Sequence, residues 1–491
     1  MIDGNEPIKE PKRKPSLELD TQLQPRKETK SEGAEPPEPR VNKIDMLKNT
    51  INNYFPKSQG EEESIEIKHF PGFKPHQRFF EQIGKSEDEV KYSPQREIIY
   101  ITKKKLIEKL THDYEQNSEI FRTVLYTCRS FFTEKELFTL LLQRFKTPLP
   151  LNLSPVERKI FLDTVISKIQ IKILIFLKDW FKFYCHEFFV KPELEEMFFE
   201  MLFLMFTHPD TGKWIYLPIS QLLADLERLS DNRDKGIQPV KLKIAALPEI
   251  FVPLPIILSY SHLLAKQLCI FDVDNFKRIK VTEFYNKNWT RENKHELAPN
   301  LTYIAEMSTK LSRLTSYLIL MNKKNMIRVM LFQYLIDLCD QLVRLRNFNS
   351  AFAIYLGLQT QAIQRLKELF EPNLGKEYKE TLASLQNLFS ANNNMENLRI
   401  RQNEVMTPAV PYLGCFLGDL FFLEEQPSYL DEQKTQLNYN KFRQMSNKIY
   451  KILTFKELYG FHRVDNILTF IKGIPFISED QIYELSYQIL K

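Results

Sequence analysis

Apolar positions recur at the helical spacing over most of the chain beyond about Pro94, and the stretch before it shows no such period. Residues 1–53 hold no aromatic side chain, and the first forty carry seven prolines among Glu, Lys, Ser and Gln, so they are predicted to form a disordered tail. Between Tyr54 and Lys91 aromatic residues appear, but Pro56, Pro71, Gly72 and Pro75 interrupt every period and no element is assigned. From Thr123 to Phe145 the pattern predicts two helices joined near Ser130 to Thr133, with Thr133 and Glu136 spaced as a capping box. A longer helix is predicted over Ile169 to Phe188. The prolines at 209, 218, 239, 248, 253 and 255, with the polar run from Ser230 to Gly236, mark an interdomain connection. The fold class expected is all-α: an uninterpreted region over 1–93, a helical domain over 94–230, a linker over 231–254, and a larger helical domain over 255–491 that begins close to Pro255.

One helix stands apart from the others. In T-P-A-V-P-Y-L-G-C-F-L-G-D-L-F-F-L-E-E-Q-P, Thr407 to Pro427, Pro408 and Pro411 are expected to set the start and Pro427 to stop the helix after about four turns. Leu413, Phe416, Leu417, Leu420 and Leu423 form a stripe that must be buried. Gly414, Gly418, Phe421 and Glu425 share the opposite face, at i, i+4, i+7 and i+11. Each glycine inside a helix costs about 1 kcal/mol relative to alanine, so two in line suggest close approach by another backbone. A ring and a carboxylate project beyond them. A helix that merely packs is the plainer reading of this segment taken alone.

Composition narrows the chemistry. A chain of 491 residues, 43% apolar and 12% aromatic, is ample for sizeable cores, and the expected class is a soluble globular protein. Five scattered cysteines, Cys128, Cys185, Cys269, Cys339 and Cys415, show no CxxC spacing and no neighbouring histidine cluster, so no metal is expected and a reducing, cytoplasmic compartment is. The apolar stretch at Ile169 to Val190 is broken by Lys172, Lys178, Asp179 and Lys182, so no integral membrane segment is expected. The polar start M-I-D-G-N-E-P argues against a secretory signal, and neither a CaaX box nor a myristoylation start is present. A net charge of +5 is slight for this size, and the basic runs at Pro11 to Lys14 and Lys103 to Lys105 are taken as solvated charge, so no nucleic-acid partner is expected. Gly84-Lys85-Ser86 lacks the upstream glycine of a phosphate-binding loop, since Phe79 holds that position. No Ser-His-Asp, Cys-His or paired-carboxylate arrangement stands out, and no cofactor is expected.

The segment V-P-Y-L-G-x-x-L-x-D-L-x-F-x-E-E, Val410 to Glu425, resembles the helical-hairpin signature of the Ras-family guanine-nucleotide exchange factors. Upstream, Leu264, Ala265, Gln267, Leu268, Asp272, Phe276, Ile279, Glu283 and Trp289 hold the places of the helix that opens the family's catalytic domain, with Cys269 where Thr is usual. Asn347-Phe348-Asn349, Ile354 and Leu358, followed by Arg365-Leu366-Lys367, are similar to a third family segment, although Phe370 replaces its Trp. The pattern over Thr123 to Phe145 and the helix carrying Trp180 resemble the Ras exchanger motif that precedes the catalytic domain. Leu437 to Ile452, with Lys441 and Arg443 in place, resembles the returning helix of the hairpin.

The resemblance implies an exchange factor whose partner is a Ras-family small GTPase, GDP-bound or nucleotide-free, acting by binding and without covalent chemistry. In the family the hairpin is a wedge: the residue at Phe421 intrudes beside the GTPase's magnesium site, the acid at Glu425 disturbs its phosphate site, and Gly418 belongs to the same face. Partner contacts are implied for Gln359, Gln361 and Gln364, whose amides can bond backbone as donor or acceptor, for Arg365, which can donate, and for Met395, Arg399, Tyr412 and Lys441. Met395 and Leu398 replace two family tyrosines, Phe421 stands where a smaller or aliphatic residue is common, and Pro427 lies near a usual Asn. Membrane contact would be peripheral, through recruitment to a membrane-anchored GTPase at the inner surface. The alternative is a catalytically silent scaffold that binds such a GTPase without discharging it. A helical-repeat adaptor is disfavoured because no period of roughly 20 to 50 residues recurs.

Overall fold

A computed structural model describes residues 89–112, 118–188, 191–234 and 261–490. The expected disordered tail, the Gly84-Lys85-Ser86 loop, the Pro255 boundary and most of the expected linker lie outside these residues. Helices account for nearly all the regular structure, with one small three-stranded sheet in addition.

The first helical domain opens with an antiparallel hairpin, β1 (Val90–Tyr92) and β2 (Ile98–Ile101), followed by α1 (Lys103–Leu110), α2 (Ser118–Thr127), α3 (Glu134–Phe145), α4 (Pro155–Phe161), α5 (Ser167–Phe188), α6 (Pro192–Phe206) and α7 (Tyr216–Asp234). The break between α2 and α3 falls where the pattern changes, at a short 3-10 turn over Cys128–Ser130. Thr133 then starts α3 reciprocally: its hydroxyl accepts from the Glu136 N–H at 3.2 Å, and the Glu136 carboxylate accepts from the Thr133 N–H at 2.9 Å. Ser154 and Glu157 repeat the device at α4, with Pro155 in the first position, where its missing N–H leaves no bond unmade. Trp180 of α5 is fully buried between Phe138 and Phe198, with ring centroids 5.3 and 6.4 Å away. Helix α7 occupies part of the region read as an interdomain connection. Its Pro218 sits in the first turn, where it breaks no helical bond, and the polar run that begins at Ser230 continues the helix to Asp234.

The second domain contains α8 (Ser261–Phe276), α9 (Pro299–Leu320), α10 (Asn325–Arg344), α11 (Phe348–Leu358), α12 (Lys376–Leu388), α13 (Asn392–Glu404), α14 (Leu413–Glu425), β3 (Leu437–Asn438), α15 (Tyr439–Thr454), α16 (Asp465–Lys472) and α17 (Glu479–Leu490). Three polar residues of the opening motif anchor its core. Gln267 accepts from the Val464 N–H and donates to the His462 carbonyl, both at 2.8 Å, tying α8 to the segment before α16. Glu283 caps the N-terminus of α9 by accepting from the Asn300 and Leu301 N–H groups at 2.9 and 3.0 Å. Asp272, also buried, accepts from Asn347 at 2.9 Å, Ser350 at 2.6 Å and Asn349 at 3.5 Å, which joins α8 to the start of α11. Phe370, in the place of the family Trp, is buried and stacks on Phe332 at 4.4 Å.

The two domains share the small sheet. Strand β2 pairs with β1 on one side and with β3 on the other, through Tyr100 opposite Asn438 and Ile101 opposite Leu437. Beside this seam the Phe131 ring lies 4.7 Å from Phe442, and Arg443 forms an ion pair with Glu97 at 2.7 Å. Tyr184 of α5 stacks on Tyr285 of the second domain, with the two hydroxyls in contact.

Asp272 gives the core a pH dependence with a definite sign. Burial pushes its carboxyl up to about 6, although the three donors favour the charged form. The folded state therefore holds this proton more tightly than the unfolded chain, so the stability it contributes is present below about pH 4 and lost as pH rises through about 6. Asp272→Asn cannot ionise. Its stability relative to wild type is expected to rise by about 3 kcal/mol between roughly pH 4 and pH 7, read from urea unfolding at each pH; a difference that stays flat would contradict the assignment.

Candidate functional site

Helix α14 and its return, α15, form the hairpin. The chain before α14 is extended: the Val410 N–H donates to the Arg346 carbonyl at 2.9 Å, and the Val410 carbonyl accepts from the Phe348 N–H at 2.8 Å. Gln402 accepts from the Tyr412 N–H at 2.6 Å. The helix thus begins at Leu413, two residues beyond Pro411, because Val410 and Tyr412 are held by neighbouring elements; the prolines do not open it directly. Leu413, Phe416, Leu420 and Leu423 are buried as the period requires, and Cys415 joins them. Leu417 is only half-buried, because it faces a cavity.

The outward face is open. A side chain added at Gly418 would meet nothing within 4 Å, so among the described residues no other backbone approaches it. At Gly414 the neighbour is a side chain: an added Cβ would lie 2.4 Å from the Tyr412 hydroxyl. Phe421 is 37% exposed and Phe422, one residue on, 70%. Such exposure of two adjacent rings is unusual on a surface without a partner.

What holds the helix lies beneath it. Lys441 of α15 is buried, and its ammonium donates to the Glu424 carbonyl at 3.1 Å, the Gln426 carbonyl at 2.7 Å and the Ser428 hydroxyl at 3.2 Å. It thereby caps the C-terminus of α14, where the helix dipole favours a cation. Burial draws its pKa below the usual lysine range, against the opposing charge of Glu424. Arg399 of α13 also turns inward, donating to Asp419 at 2.9 Å and to the Cys415 carbonyl at 3.2 Å. Lys448 reaches the same Asp419 oxygen at 2.6 Å. Burial alone would raise the Asp419 carboxyl; the two cations outweigh it and hold the group below its ordinary value. Lys441 and Arg399, both expected to meet a partner, brace the hairpin within this chain.

Beside the base of α14 lies a cavity of about 780 Å³ between α9, α11 and α17, with Phe352, Leu356, Tyr412 and Leu417 among its apolar lining. Gln361 and Asn349 supply polar groups at its wall. Of the other expected contacts, Gln364 bonds Gln359 at 3.1 Å, fixing a pair of amides on the turn after α11. Arg365 lies across two tyrosines of α17, 4.1 Å from the Tyr483 ring and 4.5 Å from Tyr487. Met395 is half-buried in a left-handed turn with Asn393 and Asn394, its sulfur 4.0 Å from that of Cys415. Gln361 and Tyr412 thus meet in the cavity, whereas Phe421 and Glu425 stand outside it on the outward face of α14.

Two residues at this face were not singled out from the sequence. Phe422 is part of the signature and is the most exposed ring of the helix. Lys287, in the 3-10 segment Val281–Thr290, forms an ion pair with Glu425 and lies 4.9 Å from the Phe421 ring centroid. Its separation of 138 residues from Glu425 leaves no local sequence signal for the contact.

Comparison with known proteins agrees with this arrangement. The RasGEF domain family model matches residues 263–443 and the RasGEF N-terminal motif matches residues 97–201, in that order. The chain belongs to the Ras guanine nucleotide exchange factor family. Among similar proteins of Dictyostelium discoideum, Ras guanine nucleotide exchange factor S is 25% identical over 410 residues, covering 79% of this chain and 37% of that protein. Exchange factor A is 25% identical over 407 residues, covering 80% and 64%, and exchange factor Q is 29% identical over 227 residues, covering 46% and 17%. The chain therefore spans less than two thirds of the length of each of these exchange factors. The RasGEF match takes in the part of the cavity wall from α9, α11 and α14, but not that from α17, together with all of α14 and the brace from Lys441, while the N-terminal motif match takes in β2 and Phe131, which meet the hairpin's return. Among the described residues no helix is long and apolar enough to cross a membrane, and no group of three His, Cys, Asp or Glu side chains could hold a metal ion.

Inward and outward substitutions on the hairpin are expected to separate by stability. Leu420→Ala empties a fully buried position and should lower stability by roughly 2 to 5 kcal/mol. Lys441→Ala leaves Glu424 and two carbonyls without their cation and should lower it by roughly 3 to 5 kcal/mol. Phe421→Ala and Glu425→Ala should change it by less than about 1 kcal/mol. Denaturant unfolding of the four variants checks the division, and unfolding of the domain by either outward change would contradict it.

Proposed function

We propose that this chain is a guanine-nucleotide exchange factor that promotes GDP release from a Ras-family small GTPase. The observation that carries the reading is the exposed face of α14, with Phe422 open, Phe421 and Glu425 exposed apart from their contact with Lys287, and Lys441, Arg399 and Lys448 bracing the helix from below. A rigid helix presenting two rings and a carboxylate can enter a partner without collapsing on its own domain. The adjoining cavity suits an apolar or aromatic side chain of the GTPase's second switch, and Gln361, with the Gln359 and Gln364 pair, can bond the backbone around it.

A GTPase that holds nucleotide at picomolar affinity binds it with about 16 kcal/mol, so spontaneous release is slow. Exchange requires only that the bound factor disfavour the nucleotide site; no covalent step is needed. In this reading Phe421 moves into the region of the GTPase's magnesium ion and displaces its water, and Glu425 places negative charge where phosphate charge was held. Docking comes from the cavity and release from the wedge. The first helical domain acts on the hairpin from behind, through β2 and Phe131, and does not itself enter the GTPase.

The test is release of fluorescent GDP from a panel of Ras, Rap and Ral proteins by the full chain. Accelerated release from at least one is expected, and Phe421→Ala and Glu425→Ala should each slow it by roughly tenfold or more while retaining part of the binding. Unchanged release across the panel by folded protein, with binding intact, would favour the silent scaffold instead.

A further inference from the structure

The 3-10 segment Val281–Thr290 contains two consecutive residues, Asn286 and Lys287, in the left-handed region at φ 48° and 56°. Residues other than glycine keep such a conformation where their surroundings fix it. Here they do. The Arg291 side chain donates to the Asn286 carbonyl at 3.1 Å, and the Thr290 hydroxyl donates to the Lys287 carbonyl at 2.8 Å. Tyr285, immediately before, is buried and stacked on Tyr184 of the first domain. The turn delivers two groups to the end of α14. The Asn286 N–H donates to the Glu424 carboxylate at 3.2 Å, and the Lys287 ammonium reaches both Glu425 and the face of the Phe421 ring, 4.9 Å from its centroid.

We infer that Lys287 is a positioning residue for exchange, a single cation that fixes the side chains of Phe421 and Glu425 together in the pose in which they enter the GTPase. This inference rests on the exchange-factor reading above and adds to it a residue outside the hairpin. Phe421 and Glu425 lie four positions apart on an open face, beside a glycine that offers no wall, so the helix alone leaves their rotamers free. One ammonium between a carboxylate and a ring restricts both, through charge attraction and through the ring quadrupole. The left-handed turn aims the lysine, and the Tyr184 stack gives the first domain a hold on that turn.

The same contact could instead act as a cover that keeps the wedge from its partner. Its strength decides against this. The Lys287 side chain is 33% exposed and that of Glu425 55%, and an ion pair so open to water, with one cation–π contact, shifts an equilibrium by roughly three- to tenfold. That is enough to select one rotamer of each side chain. It is far too little to hold off a partner that binds through a whole face and a cavity.

The experiment measures GDP release by wild type, Lys287→Asn, Lys287→Gly and Lys287→Arg on a GTPase that responds to the wild-type chain. Asn and Gly both accept a left-handed backbone, so these variants remove the cation and keep the turn. The expected result is a fall in maximal release rate of roughly three- to tenfold for both, with the half-saturating concentration nearly unchanged, and recovery of most of the rate in Lys287→Arg. In a Phe421→Ala, Glu425→Ala background, Lys287→Asn should have no further effect. Wild-type or faster release by Lys287→Asn and Lys287→Gly, or an undiminished effect in that background, would overturn the positioning role while leaving the exchange reading intact. If the wild-type chain releases GDP from no member of the panel, the exchange reading falls, and the inference with it.

Discussion

The placement of α14 on its own domain centres on a buried ammonium. Lys441 caps the C-terminal end of α14 through two carbonyls and a hydroxyl, in a place where burial disfavours its charge. A cation held so is favourable only because its donors are filled and the helix dipole points at it. Asp419, held by Arg399 and Lys448, makes a second tie further along the same helix. With the inner face of α14 fixed in this way, the outward stripe needs no cover beyond its contact with Lys287.

The first domain completes the brace. Its strand β2 adds β3 as a third strand, and its Phe131 meets Phe442 of α15, so the hairpin's return is held by a sheet edge and an aromatic contact together. Arg443 and Glu97 close the same seam at the surface, where an ion pair adds little. The hairpin thus lies between two bodies of helices: the cavity side faces α9, α11 and α17, and the return faces the exchanger motif. The contact of Tyr184 with Tyr285 adds a separate route from the first domain to the end of α14, by way of the turn at Asn286 and Lys287.

Much of this was legible in the sequence, for identifiable reasons. Helical periodicity marks buried stripes well, and Leu413, Phe416, Leu420 and Leu423 fall where the period puts them. Capping chemistry is equally local, and Thr133 with Glu136 forms the predicted box. The direction of long polar side chains is less accessible, since it depends on what stands opposite. Lys441 and Arg399 carry charges that sequence alone places outside, whereas the fold supplies carbonyls and Asp419 to receive them inside. Pro411 marks the approach to α14, but tertiary pairing at Val410 sets its first residue. Three short strands were missed because each is shorter than the run an alternating pattern needs. The glycine stripe was legible as a stripe, though not its surroundings: Gly418 borders open space among the described residues, and Gly414 lies against the Tyr412 side chain.

If the wedge works by occupying the space that nucleotide and its ion require, the chain and GDP must oppose one another on the GTPase by the same factor in each direction. The most direct measurement is the affinity of the full chain for a responsive GTPase, determined by calorimetry across a series of GDP and magnesium concentrations. The account predicts tight binding to the nucleotide-free GTPase and an affinity that falls in proportion as GDP is raised, by the factor by which the chain weakens GDP. An affinity that is the same with and without nucleotide would contradict it, because a surface that binds both states equally cannot expel either ligand.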